Sequence, residues 1–187
     1  YEEIEVPMVG MDDFQASYCV TKHLIDNGHT KIGGIFKVDD RQGKERLRGY
    51  IQACYEYGVE YVSDQVLIYE TATLLKVLQD QATPIVKNKK VTGFVCYNDK
   101  VAIELLNIIW QQGYSVPEDF SIVSHDNSSL SGMTKVHLTG IDHPKSELGK
   151  VAAQNLLEYV EGKTHEMESK VFKGDLIVKN SVKKIES

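Results

Sequence analysis

Apolar residues recur along this chain in two rhythms: short continuous runs, and longer stretches in which they return every third or fourth position. The first rhythm suits strands buried on both faces; the second suits helices with one apolar stripe. Together they predict strands at residues 6–11, 32–36, 66–69, 92–97, 120–123, 135–141, 170–172 and 176–178. Helices are predicted at residues 14–27, 43–57, 73–81, 100–112 and 146–161. Gly28, Gly58 and Gly113 supply helix stops. On the second helix Leu47, Tyr50, Ile51 and Cys54 share a face, and on the last Leu148, Val151, Ala152, Leu156, Tyr159 and Val160 lie near one stripe. Because helix and strand alternate almost throughout, the expected fold is α/β, a parallel sheet with flanking helices, and not a bundle or sandwich. The Lys183-Lys184 tail carries no such pattern and is expected to be loose.

One stretch bears directly on function. Pro117 forbids continuation of the preceding helix, Glu118 and Asp119 solvate the turn, and Phe120, Ile122 and Val123 form a covered strand. That strand runs into His125, Asp126, Asn127, Ser128 and Ser129. In open α/β sheets ligands sit at the carboxyl ends of strands, so polar side chains gathered there are candidates for contact. A solvated, capping-rich loop explains the same residues equally well.

Composition narrows the function classes. The chain has 187 residues, 42% hydrophobic and 26% charged, enough for one domain with a sizeable core or two small lobes. It shows no stretch apolar enough to span a membrane, and its opening Tyr1-Glu2-Glu3-Ile4-Glu5 does not read as a secretory leader, so a cytoplasmic protein is expected. With 21 Lys and Arg against 27 Asp and Glu, the net charge is −6 and the cations are scattered. That argues against nucleic-acid contact through this chain. Cys19, Cys54 and Cys96 fall within apolar patterns and read as buried thiols; no CxxC is present.

Catalytic readings fare poorly. Ser124, His125 and Asp126 are adjacent, but consecutive strand residues point to opposite faces and cannot line up as nucleophile, base and orienting group. No G-x-S-x-G, P-loop or G-x-G-x-x-G occurs, and the spacing of His125, Asp126, Asp142 and His143 fits no metal motif. Neither an enzyme nor a cofactor is expected.

Three segments taken together resemble the effector-binding core of the LacI/GalR family of bacterial transcription regulators. They are His23-Leu24-Ile25-Asp26-Asn27-Gly28-His29-Thr30-Lys31-Ile32, Arg46-Leu47-Arg48-Gly49-Tyr50, and Cys96-Tyr97-Asn98-Asp99-Lys100-Val101-Ala102 running on through Val116-Pro117-Glu118-Asp119. Within that family, Gly34 to Gly43 and Ile141-Asp142-His143-Pro144-Lys145-Ser146 are most similar to arabinose-responsive repressors, which join this core to a winged-helix DNA-binding domain of the GntR type. The resemblance implies a periplasmic-binding-protein-like (type I) fold with the C-terminal lobe nearly complete and the N-terminal lobe truncated. Residues 12–141 would form the former, with final strands and tail at 169–187; residues 1–11 and a return helix at 142–168 would remain of the latter. It also implies a homodimer, with DNA bound only through a domain outside this chain. A return helix lacking most of its own sheet is expected to be marginally stable, or covered by a partner chain.

The resemblance assigns ligand roles residue by residue. Arg46 matches the family's ligand arginine, whose forked guanidinium can donate to two neighbouring hydroxyls. Asp126 matches an acidic residue that accepts hydroxyl hydrogens opposite it. Asn98 and Asp99 match the end of the preceding strand, although Asn98 also suits a helix N-cap. His143, before the stiffening Pro144, stands at a crossing segment. His125 with Ser124 replaces a glycine and an aromatic residue, and can partly take the aromatic's part. Asp39, Asp40 and Arg41 follow a strand end within reach of such a ligand. The implied function is sugar sensing, with L-arabinose or a related pentose as effector. A periplasmic-type sugar carrier is the alternative, set against by the cysteines and the 116–119 segment.

Overall fold

The computed structural model describes residues 7–129, 135–163 and 168–186. The chain forms two compact units. The larger runs from Asp13 to Asp142 and resumes at Asp175; the smaller takes the described residues up to Asp12 and those from His143 to Gly174. Val6, placed by the pattern in the first strand, lies outside the described residues, as do 164–167.

The larger unit follows the helix and strand alternation. In chain order it contains α1 (Asp13–Asp26), β2 (Ile32–Lys37), α2 (Arg41–Glu56), β3 (Val66–Tyr69), α3 (Leu74–Val77), α4 (Thr83–Lys87), β4 (Gly93–Cys96), α5 (Asp99–Gln111), β5 (Ser121–Asp126), β6 (Thr139–Asp142) and β8 (Asp175–Ile177); β1 (Val9–Met11) precedes them in the smaller unit. Its six strands lie in the order β3-β2-β4-β5-β6-β8, parallel except for β8 against β6. Alternate strand residues feed two cores, as the period of two requires. Ile35, Phe94, Cys96 and Ile122 pack under α3, α4 and α5, whereas Ile32, Phe36, Val95 and Val123 pack under α1 and α2 with Leu24, Tyr50 and Cys54. Burial pushes the Cys54 thiol up to about 11, and Cys96 is raised for the same reason, so neither is poised as a thiolate.

The pattern stops the third helix at 81, in front of Pro84. The helical path instead widens for one turn at Leu78–Ala82 and continues through α4, with Pro84 following directly on the wide turn. The strand expected at 135–141 is shorter, Thr139–Asp142. The tail is not loose. Ile122 N–H donates to the Ser181 carbonyl and Ile185 N–H to the Asn27 carbonyl, both bridging distant parts of the unit, while Lys183 N–H donates to Ser121 Oγ. Backbone hydrogen bonding of a segment without apolar rhythm is invisible to periodicity.

The smaller unit holds β1, α6 (Lys145–Val160) and β7 (Lys170–Phe172). β7 pairs in parallel with β1, from Val9 opposite Lys170 to Met11 opposite Phe172. This corrects the assignment of 169–187 as one block to the larger lobe: strand β7 belongs with β1, and only β8 onward joins the larger sheet. Three residues carry too little pattern to name their partner strand. No residue of α6 is buried; Leu156, Leu157, Tyr159 and Val160 are exposed, as is Val171 of β7.

Candidate functional site

The strand order makes a topological switch in the larger unit. The chain leaves β2 toward β3 on one side, and leaves β4 toward β5 on the other, so the carboxyl ends of β2 and β4 flank a crevice of the kind that takes ligands. The polar residues that follow β2, β4 and β5 meet there.

Arg46 is the centre of this cluster. It sits on α2, one turn before Gly49, where a Cβ would lie 2.1 Å from the Phe14 carbonyl oxygen. Glycine therefore lets α2 approach the first turn of α1 closely, and Arg46 reaches Asp13, the first residue of α1. Asp13 Oδ1 accepts from Nε at 2.8 Å and lies 2.8 Å from Nη2; Nη1 donates to the Tyr97 carbonyl at 2.5 Å. The Tyr97 ring centroid is 4.9 Å from the guanidinium carbon. Arg46 is only 2% exposed, so a charge that would be costly to bury alone is matched by a carboxylate at a helix N-terminus, a carbonyl and an aromatic face.

Asp126 faces the same guanidinium from the end of β5. Its Oδ1 is 3.6 Å from Nη2, an ion pair too long for a direct hydrogen bond, and its side chain remains a third exposed. Among the described residues, one N–H on Nη1 and one on Nη2 have no acceptor within bonding distance. That leaves two donors beside a partly solvated carboxylate, a set that can serve neighbouring hydroxyl groups. Asp126 has φ 93° and Asn127 φ 36°, left-handed conformations that cost on the order of 1–3 kcal/mol for such residues and persist only where neighbours hold them.

A second set of charges extends the cluster along the sheet edge. Asp40 caps α2, accepting from Gly43 N–H at 2.7 Å, and accepts the Tyr97 hydroxyl at 2.8 Å while pairing with Lys37 at 2.9 Å. Burial alone would raise the Asp40 carboxyl, but the Gly43 amide, the Lys37 ammonium and the Tyr97 hydroxyl outweigh it and hold the group below its ordinary value. Tyr97 is raised, chiefly by burial and then by its bond to Asp40, so it stays a hydroxyl donor. Asp39 accepts from both the N–H and Oγ1 of Thr71, tying this loop to the end of β3.

The other expected site residues take partners of their own. Asn98 caps α5, its Oδ1 accepting from Val101 N–H at 3.0 Å, while its Nδ2 has no partner among the described residues. Asp99 is 2% exposed and turned inward: Oδ1 accepts from Ser124 Oγ, and Oδ2 from Ser128 N–H and Oγ. His125 is wholly buried with Nδ1 3.0 Å from the Cys96 carbonyl oxygen, so it presents no ring surface in place of an aromatic. The reason is the strand period, which turns residue 125 away from the face that 126 serves. His143 belongs to the smaller unit and is half-buried there, its carbonyl accepting from Lys145 N–H at 2.7 Å. Asp13 and Tyr97 were not singled out by the sequence. The acidic start of α1 reads as ordinary helix-terminus charge, and nothing local links it to an arginine on the next helix.

The sequence profile of the periplasmic binding protein-like domain family matches residues 21–182. The chain belongs to that family. The domain is 41% identical over 189 residues to an arabinose metabolism transcriptional repressor of Geobacillus stearothermophilus, covering 99% of this chain and 52% of that protein. Among solved structures it is similar to the transcription regulator CcpA of Lactococcus lactis, with a TM-score of 0.83 and 31% identity over 98% of this chain and 67% of that one. It is also similar to a LacI family transcriptional regulator from Enterococcus faecium with bound ribose, at TM-score 0.78 and 26% identity, covering 94% of this chain and 65% of that one. The domain spans about half the length of the curated relatives it matches. The α/β fold with a mostly parallel sheet is thus the one shared with LacI-family regulators. No helix among the described residues is long and apolar enough to cross a membrane.

Proposed function

We propose that this domain is the effector-binding part of a cytoplasmic, homodimeric bacterial transcriptional repressor, and that it takes a small neutral sugar, L-arabinose or a related pentose, at the carboxyl edge of the larger sheet. The observation that carries the reading is the Arg46 guanidinium, anchored on one side by Asp13 and Tyr97 and left with two N–H groups beside Asp126. A polyol placed there receives two hydrogen bonds and donates one or more, each charge-assisted and worth roughly 1.5–3 kcal/mol. The Nδ2 donors of Asn98 stand at the end of the neighbouring strand. Two carboxylates against one guanidinium leave the cluster net negative, which disfavours phosphorylated or acidic sugars. The pentose assignment draws support from the arabinose relative and from the segments at 34–43 and 141–146.

Binding is the role of this site, not catalysis: Ser124 and His125 are each bonded to separate partners away from Asp126. Sugar occupancy shifts the population of two conformations, and a DNA-binding domain outside this chain reads the shift; the sugar must bind the two with different affinity. Titration calorimetry of the intact protein against L-arabinose, D-ribose, D-galactose and a pentose phosphate tests this. Heat with L-arabinose that is lost in Arg46→Ala is expected, with no heat from the phosphate. Binding of a hexose or phosphate in place of pentoses, or an Arg46→Ala variant of undiminished affinity, rejects the reading. Sugar binding without any effect on DNA binding would favour a transport carrier instead.

A further inference from the structure

Asp99 is not bonded to Arg46, yet it is one of the most heavily bonded carboxylates in the larger unit. Its partners lie at the two ends of one short segment. Ser124 Oγ donates to Oδ1 at 2.5 Å from within β5; beyond the strand, Ser128 donates to Oδ2 through both N–H and Oγ at 2.7 Å. Between these two grips lie Asp126 and Asn127, the left-handed pair with φ 93° and 36°. Residues with a Cβ hold such a conformation only when the surroundings impose it.

The surroundings here are identifiable. Asp99 is the first residue of α5, where the helix N-terminus favours a carboxylate, and Asn98 caps the same turn. It is 2% exposed, so it has no room to turn toward solvent. Asn127 is tied sideways as well, its Nδ2 donating to Asp142 at 3.2 Å and its Oδ1 accepting from Lys179 at 2.5 Å. Those two bonds lie beyond Asp126, whereas Asp99 grips the chain on both sides of it. The outcome is a β5 terminus that turns back with the Asp126 carboxylate facing Arg46 at 3.6 Å, a gap that a bridging hydroxyl group fits.

We infer that Asp99 is a positioning residue: it clamps the 124–128 segment in its left-handed turn and thereby sets Asp126 opposite Arg46 for sugar binding. The inference rests on the reading of Arg46 and Asp126 as ligand contacts, and it replaces direct ligation by Asp99. A carboxylate that already accepts three donors is committed to the loop.

A double-mutant cycle on the intact protein tests the clamp, with L-arabinose titrated by calorimetry. Asp99→Ala should weaken binding by about tenfold or more in the wild-type background, and by less than about twofold once Asp126→Ala is present, because the effect travels through Asp126. Equal losses in both backgrounds overturn the proposal, as does full affinity in Asp99→Ala where Asp126→Ala loses it. A second arm needs no sugar. Amide hydrogen exchange in the unliganded protein should accelerate at Ser128 in Asp99→Ala and stay unchanged at Val95 in β4; unaltered protection of Ser128 overturns the clamp. If Asp126→Ala leaves arabinose affinity intact, the ligand reading fails, and the exchange arm still decides the clamp. Should Asp99→Ala not fold, Ser124→Ala and Ser128→Ala each remove a donor while leaving the carboxylate in place. The same cycle with those variants is expected to show a smaller loss that again vanishes with Asp126→Ala.

Discussion

Replacing Asp13 with alanine attacks the account at its anchor. Arg46 is buried, and Asp13 Oδ1 accepts from its Nε–H and lies 2.8 Å from its Nη2. Removing one partner of a buried ion pair costs about 3–5 kcal/mol, because the other charge is left in a poor solvent. Here the Tyr97 carbonyl and ring stay in place and Asp126 stands 3.6 Å away, so the lower end, about 3 kcal/mol, is expected. For a unit of this size that corresponds to a fall in melting temperature of roughly 6–12 °C. Asp13→Asn keeps the Oδ1 acceptor of the Nε–H bond and loses the charge, so it should cost about 1 kcal/mol. Trp110, the single tryptophan, lies half-exposed on α5 and reports this unit in a thermal melt followed by fluorescence. Sugar affinity should fall in Asp13→Ala as well, since Arg46 released from Asp13 closes on Asp126 and takes up the donors meant for ligand. A variant that melts within about 2 °C of wild type and binds sugar unchanged would refute the anchoring role, because a buried guanidinium cannot lose its main counter-charge without cost.

Two further outcomes follow from the same packing. Gly49→Ala should destabilise the larger unit by about 1–3 kcal/mol or more and weaken sugar binding, because the added Cβ meets the Phe14 carbonyl at 2.1 Å and must push α2 away from Asp13; calorimetric and fluorescence melts with native values would contradict the close approach. His29 is buried between Thr92 Oγ1 and the Lys183 carbonyl, and burial holds its pKa below the ordinary 6.5. The unfolded chain then takes up the proton first as pH falls, so stability is fully present above pH 6.5 and is lost below it. His29→Gln should flatten the decline between about pH 6.5 and pH 5 in urea melts, leaving a residual slope from His23, which burial lowers in the same way; an unchanged slope would remove His29 from the account.

Much of the fold is legible in the hydrophobic pattern because β2, β4 and β5 are buried along nearly their whole length and α1, α2 and α5 each bury one stripe. Strand β3 and the ends of α1, α2 and α5 fall within two residues of the expected bounds. What escapes the pattern is held by something other than periodic burial. β7 is three residues long and finds β1 through backbone pairing, and the tail is fastened by Ser181, Lys183 and Ile185 through hydrogen bonds. The site divides along the same line. Arg46 and Asp126 were reachable through resemblance, and Asn98 through its helix-capping chemistry. Asp99 and Asp126 are chemically identical in the sequence; only strand register and helix position turn one inward and the other toward Arg46. Asp13 was hidden because its partner lies on another helix, brought near by a glycine whose role is purely steric. Tyr97 was hidden because its contribution is a ring face and a carbonyl, neither of which has a motif.

A crystal structure of the intact protein grown with L-arabinose tests the central claim most directly. The account predicts a sugar at the carboxyl edge of β2, β4 and β5, with neighbouring hydroxyls bonded to Nη1 and Nη2 of Arg46, a hydroxyl donating to Asp126, and Asp99 still bonded to Ser124 and Ser128. A sugar seated away from Arg46, or one that contacts Asp99 while Asp126 points elsewhere, would contradict it.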